Sequence, residues 1–197
     1  MKTFLVKYRH VKFHVPTTRF QHSFAYINLM LDCSLDDYKV FMLENSGLWS
    51  PTSYTCSVYH IKEGGWTTMK NSFSPGGRNM KFDMPVFHKG CLHFISDCDS
   101  YFAKSSPFYK PYTMSYNLEN GISTMLKLSR EAVKGCHIMC NMGIFNWGKK
   151  RSSNNSICLV KLRNFVFTVW FLKDYESGSW KKVLKVRLRA LGLNETN

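Results

Sequence analysis

Residues Thr113–Leu126 read TMSYNLENGISTML. Apolar and polar side chains alternate on both sides of Glu119-Asn120-Gly121, the pattern of two half-buried strands joined by a tight turn. Asn-Gly is the strongest short hairpin signal, because both residues tolerate the positive φ that the central turn positions are expected to need. Two further stretches have the same form. Ser57–Met69 reads SVYHIKEGGWTTM and turns at Glu63-Gly64-Gly65, and Thr168–Leu184 reads TVWFLKDYESGSWKKVL and turns at Ser177-Gly178-Ser179. Val58, Met114 and Val169 take matching places, which gives spacings of about 56 and 55 residues and marks an internal repeat.

Short apolar runs broken by Gly, Asn, Ser and Pro continue along the chain. Strands are expected at Lys39–Leu43, Thr55–Ile61, Val86–Ile95, Tyr112–Leu118, Ile122–Leu128, Ile157–Leu162, Val166–Leu172 and Lys182–Leu188. Within Val86–Ile95, Lys89-Gly90 reads as a turn. Only Ser129–Lys134 suits a turn of helix, which Gly135 stops. The expected fold class is therefore all-β. A repeat of roughly 50 residues is the size of a four-stranded kelch-type blade. One such blade cannot bury both faces, so it stacks on its neighbours. The residues after the turns, Trp66, Ile122 and Trp180, are expected to pack between blades. The chain has room for a partial kelch-like β-propeller of about three to four blades, too few for a closed ring of this repeat size. Unrelated hairpins of a β-sandwich are the other reading.

The composition agrees. Of 197 residues, 44% are hydrophobic and 15% aromatic, enough apolar surface for one domain or a domain and a half and too much for a disordered chain. The net charge of +14 attracts acidic partners of any kind, protein, nucleic acid or lipid. The cations are dispersed, with the densest run at Lys181–Arg189, KKVLKVRLR. Its strict alternation from Lys185 reads as an amphipathic terminal strand with a solvated basic face; a phosphate-binding stripe is the alternative. Lys149–Arg151 is too short to define a nuclear-localisation signal. The apolar stretches, such as Phe165–Leu172, have strand length, and the N-terminal apolar patch ends at Lys7, Arg9 and His10, short of a signal-peptide core. No membrane partner and no secretion are expected, the sequons at Asn154 and Asn194 carry no weight, and the expected location is cytoplasm or nucleus.

The seven cysteines, Cys33, Cys56, Cys91, Cys98, Cys136, Cys140 and Cys158, are odd in number and sit mostly in apolar runs, as reduced buried thiols do. Cys91 and His93 with Cys98, and Cys136 and His137 with Cys140, superficially resemble metal ligands. No second tight pair accompanies Cys136 and Cys140, so no metal and no cofactor is expected. Nucleotide-binding, zinc-protease and hydrolase motifs are absent, and no enzyme activity is expected. Ser74-Pro75-Gly76-Gly77-Arg78 reads as a plain turn, with a phosphate loop as the alternative. His88 and His93 would face opposite sides of one unbroken strand. Trp66, Trp170 and Trp180 have core-like contexts, whereas Trp49 and Trp147 lie in loop-like ones that suit an exposed contact.

Five pieces occur in an order that resembles the F-box-associated interaction domain of plant F-box proteins. They are Asp36–Val40, Cys56–Tyr59 with Trp66, Val86–Phe94, Met114–Leu118, and Val169–Tyr175 with Trp180. The last is the most distinctive, and Phe94 stands where the family favours Trp. The resemblance implies a kelch-like β-propeller that binds a protein substrate for an SCF-type ubiquitin ligase. It divides the chain into residues 1–23, an N-terminal extension or partial first strand; 24–190, the F-box-associated β-propeller-like domain; and 191–197, a C-terminal tail. The F-box itself is missing from this reading. Met1–His22 is too short, too basic and, with Pro16, too poor in helix pattern. A ligase adaptor and cullin are therefore expected as partners only where an F-box is present in the full gene product. A non-catalytic protein-binding module is the expectation; a basic, aromatic-rich nucleic-acid-binding β domain and a non-functional truncated remnant are the alternatives, with nucleic acid the less expected partner. Binding in such a domain comes from loops, here Asn45–Tyr54, Ser72–Lys81, Asp97–Pro111 and Asn146–Asn155, with no contact residue singled out.

Overall fold

A computed structural model describes residues 2–6, 9–13, 24–32, 37–45, 53–60, 63–99, 102–136, 140–147 and 156–192. Trp49, His137, Lys149–Arg151, Asn154, Asn194 and most of the loops Asn45–Tyr54 and Asn146–Asn155 lie outside the described residues. The fold is all-β. Strands β1 (Lys2–Val6) and β2 (Arg9–Phe13) form a separate hairpin within residues 1–23, the expected N-terminal extension or partial first strand. Three four-stranded antiparallel sheets follow, each with its strands in chain order. Sheet 1 holds β3 (Phe24–Asp32), β4 (Asp37–Asn45), β5 (Thr55–His60) and β6 (Gly65–Thr68). Sheet 2 holds β7 (Val86–His88), β8 (Cys91–Ile95), β9 (Tyr112–Asn117) and β10 (Ser123–Lys127). Sheet 3 holds β11 (Asn141–Trp147), β12 (Ser156–Arg163), β13 (Val166–Asp174) and β14 (Ser179–Arg187). Among the described residues the helices are α1 (Arg130–Val133), capped by the Ser129 hydroxyl on the Ala132 N–H at 3.0 Å, and a 3-10 turn at Leu188–Leu191.

Sheet 2 is packed on both faces. Period-two alternation sends Leu92, Phe94, Tyr112, Met114 and Tyr116 into a core shared with Phe41, Leu43, Cys56 and Val58 of sheet 1. Val86, Ile95 and Leu126 enter a second core with Met142, Ile144, Ile157, Leu159 and Trp170 of sheet 3. The first core is aromatic: Phe73 meets Phe94 at 5.2 Å and Tyr116 at 5.7 Å between ring centroids, distances at which tilted and edge-on rings attract. Sheets 2 and 3 are also tied through their first strands, where the Asn146 side-chain amide donates to the Phe87 carbonyl at 2.8 Å.

The three repeated hairpins are the third and fourth strands of the three sheets. Each turn holds one glycine at positive φ, Gly64 (67°), Gly121 (70°) and Gly178 (62°), spaced 57 residues apart both times. This register replaces the alignment on Val58, Met114 and Val169. It also corrects the turn type around Asn120. Gly121 has positive φ but Asn120 does not. The Asn117 side-chain carbonyl instead accepts the N–H groups of Glu119 and Asn120, and the Gly121 N–H donates to the Asn117 carbonyl, so side-chain caps shape a longer turn. In the 57-residue register the partners of Trp66 are Ser123 and Trp180, not Ile122, which is 55% exposed. The Ser123 hydroxyl accepts from the Ser74 N–H at 3.0 Å and the Trp180 indole donates to the Lys127 carbonyl at 3.0 Å. The first bond reaches the connection that follows β6, and the second reaches the last residue of β10. Trp66 packs on Tyr59 of its own sheet at 5.4 Å.

After the N-terminal hairpin, β3 and β11 went unforeseen, while Val86–Ile95 divides into two strands at Lys89-Gly90, where a turn was expected. Lys89 and Gly90 both have positive φ (47° and 74°), so β7 and β8 fold back at a two-residue turn. β14 is the outer edge of sheet 3, and its Lys181, Lys182, Lys185 and Arg187 are exposed.

Candidate functional site

Long connections leave the strand ends where β6, β8 and β10 finish, and tight turns occupy the opposite ends. The connection after β6 includes the Gly76-Gly77-Arg78 sequence. A Cβ on Gly76 would come within 2.6 Å of the Tyr112 hydroxyl, and one on Gly77 within 2.6 Å of the Phe108 ring. Only glycines let this backbone lie so close to the β8–β9 loop. Arg78 then enters that loop and is 3% exposed. Its guanidinium donates to the carbonyls of Phe108 (2.7 Å), Asp99 (2.8 Å) and Tyr109 (2.6 Å) and to the Asp97 carboxylate (3.0 Å). The Tyr112 hydroxyl accepts from the Arg78 N–H and donates to the Pro75 carbonyl. The glycine loop is thus a turn and not a phosphate cradle: its cation is consumed in holding two expected binding loops, Ser72–Lys81 and Asp97–Pro111, to each other.

Beside this knot lies an open cavity of about 340 Å³. Arg78, Tyr109, Lys110 and Pro111 line one side, and Arg130, Val133 and Lys134 the other. Lys110, Arg130 and Lys134 are exposed, so the mouth is positive. Cys98 and Cys136 are part of its wall.

The sulfurs of Cys98, Cys136 and Cys140 lie within 4.8 Å of one another, with 3.6 Å between Cys136 and Cys140. The Met142 sulfur is 3.6 Å from Cys136. Hydrogen bonding with the Cys140 and Cys98 sulfurs and the nearby Lys161 ammonium hold the Cys136 thiol well below the ordinary thiol range. The same bonds to Cys136 push the Cys98 and Cys140 protons up. Lys161 is 6% exposed and donates to the Ala132 and Lys134 carbonyls at 2.7 and 2.8 Å. By contrast Cys56 and Cys158 sit alone in apolar surroundings, where burial pushes them up to about 12 and about 11, as expected of inert core thiols.

Spacing along the chain had exposed Cys136 and Cys140. The third thiol, Cys98, comes from another sheet, and no local pattern announces it. Cys91 and His93 belong to a different group. The Lys89-Gly90 turn brings the His88 and His93 rings to 6.3 Å, and both pack on Tyr175 of sheet 3, at 6.4 and 5.6 Å. Tyr175 also bonds the side chains of Ser115 and Cys91. His93 is fully buried, and burial lowers it to about 4, so the ring is neutral. Of the two loop-like tryptophans, Trp147 is 61% exposed, with its ring tilted against Phe145 at 6.1 Å between centroids, while Trp170 is buried as expected.

Comparison with protein-family models, with curated proteins and with solved structures finds no match for this chain. Among the described residues, no helix is long and apolar enough to cross a membrane.

Proposed function

We propose that this chain is a protein-recognition module in which the three sheets are successive blades of a partial kelch-like β-propeller. The observation that carries the reading is the 57-residue repeat of four-stranded meanders, the second hydrogen-bonded from its fourth strand to the connection after β6 and the third from its fourth strand to the end of β10. In such a scaffold the long loops recognise and the sheets hold them in place. The loops joined by Arg78 present Lys110, Arg130 and Lys134 around one cavity, which suits an acidic protein segment. The resemblance to F-box-associated domains adds a context, delivery of that protein to a cullin-based ubiquitin ligase through an F-box.

The test is affinity purification of the tagged chain from plant cells, followed by binding measurements on the recovered partner. Reversing Lys110, Arg130 and Lys134 together to Glu is expected to weaken that partner at least roughly tenfold, mostly through slower association. Unchanged affinity, or recovery of chaperones alone, would count against the reading. Recovery of adaptor and cullin subunits would support the ligase context. A nucleic-acid-binding reading is favoured by the exposed cations of β14 and by Trp147. It predicts binding that falls steeply with salt and is lost on neutralising Lys181, Lys182 and Lys185.

A further inference from the structure

Three separate backbone segments deliver the clustered sulfurs. Cys98 follows β8, Cys136 follows α1 and Cys140 precedes β11. Each segment is fixed independently. The residues after Cys98 are held by Arg78, which binds the Asp99 carbonyl. Gly135, at φ 65°, turns the chain out of α1, and the Cys136 N–H then donates to the Val133 carbonyl at 3.2 Å. The start of β11 is pinned by the Lys81 ammonium on the Asn141 side chain (2.6 Å) and the Met142 carbonyl (2.8 Å). The sulfurs therefore converge because of surroundings that do not depend on their touching one another.

Their separation is informative. A disulfide needs ~2.05 Å between sulfurs, far below the observed 3.6 Å. Bonds of ~2.3 Å from zinc to thiolate set tetrahedral ligands ~3.8 Å apart, close to what Cys136 and Cys140 show. Charge agrees with this. Three thiolates around a dication total −1, and the buried Lys161 ammonium, which donates to the Ala132 and Lys134 carbonyls, supplies +1 beside Cys136. A buried cation needs such a counter-charge. Thiolates select thiophilic d10 ions such as Zn²⁺ over oxygen-seeking ones. Cys98 and Cys136 also line the cavity, so a fourth ligand can reach the ion from solvent.

We propose that Cys98, Cys136 and Cys140 bind one Zn²⁺ ion, with the fourth coordination position open toward the cavity between the sheet 2 loop and α1. The ion would clamp the end of sheet 2 to the beginning of sheet 3, and this inference does not depend on the protein-recognition reading. The experiment is elemental analysis of the full chain purified without chelator, followed by titration of the stripped protein with Co²⁺. One zinc per chain is expected, together with a tetrahedral Co²⁺ spectrum and sulfur-to-cobalt charge transfer. C98S, C136S and C140S are each expected to weaken Co²⁺ binding at least roughly tenfold, while C56S and C158S, which alter buried thiols elsewhere, leave it unchanged. A wild-type chain that takes up no Co²⁺ overturns the proposal without recourse to any variant. So does uptake that survives replacement of all three cysteines.

Discussion

At the scale of single residues, the least comfortable group is His93. It is fully buried, and neither ring nitrogen makes a well-formed hydrogen bond, with only the His88 backbone lending support. Desolvation lowers it from 6.5 to about 4. The unfolded chain therefore takes up a proton below 6.5 that the folded chain refuses until about 4. Stability is complete above 6.5, falls as the pH drops through that window and levels off below it, by ~3 kcal/mol in all. The neighbours facing His93 are His88, Cys91 and Tyr175, and His88 is shifted in the same direction, so it adds to the acid limb. Urea titrations between pH 7 and 4 are expected to show this decline, and H93L is expected to leave only the shallower part due to His88. Little of this was legible beforehand. The sequence placed His88 and His93 five apart but could not show that the Lys89-Gly90 turn would set both against a tyrosine 82 residues further on.

At the scale of elements, the hairpins were legible because alternation and glycine turns are local. Their register was not, because it depends on which of Gly64 and Gly65 takes positive φ and on the longer turn that the Asn117 side chain shapes before Gly121. The three turn glycines now separate two costs. A Cβ at Gly64 meets nothing within 4 Å, so Gly64→Ala pays only for positive φ, ~1 kcal/mol. At Gly121 the added carbon would lie 2.8 Å from the Asn71 Cβ, against the end of sheet 1. Gly121→Ala is therefore expected to cost clearly more, ~2–3 kcal/mol. Thermal denaturation of the two variants checks the order, and equal losses would mean that Gly121 does not sit at a contact between sheets. β3 and β11 escaped notice for different reasons. In β3, Phe24–Asp32, apolar residues run on without alternation, and in β11 Asn141, Gly143 and Asn146 read as loop.

At the scale of the whole molecule, the two cores touch both faces of sheet 2 and one face each of sheets 1 and 3. In stacked repeats, stability is the sum of each unit's own and its interfaces with neighbours, so the middle unit opens last. Hydrogen exchange is expected to be slowest in β8 and β9, the two inner strands of sheet 2, and faster in the outer sheets. Uniform protection across the three would show that the stack opens as a single unit. The all-β class and the repeat could be read from the chain. The cysteine cluster and the Arg78 knot could not, since each joins segments that only the stacking brings together. Among the described residues, β14 is the last strand of sheet 3. A sheet that ends in an open strand invites a second molecule to add its own strand there, and repeated addition builds fibres. Lys181, Lys182, Lys185 and Arg187 crowd this border with like charge, so two copies approaching edge to edge repel before their backbones can pair.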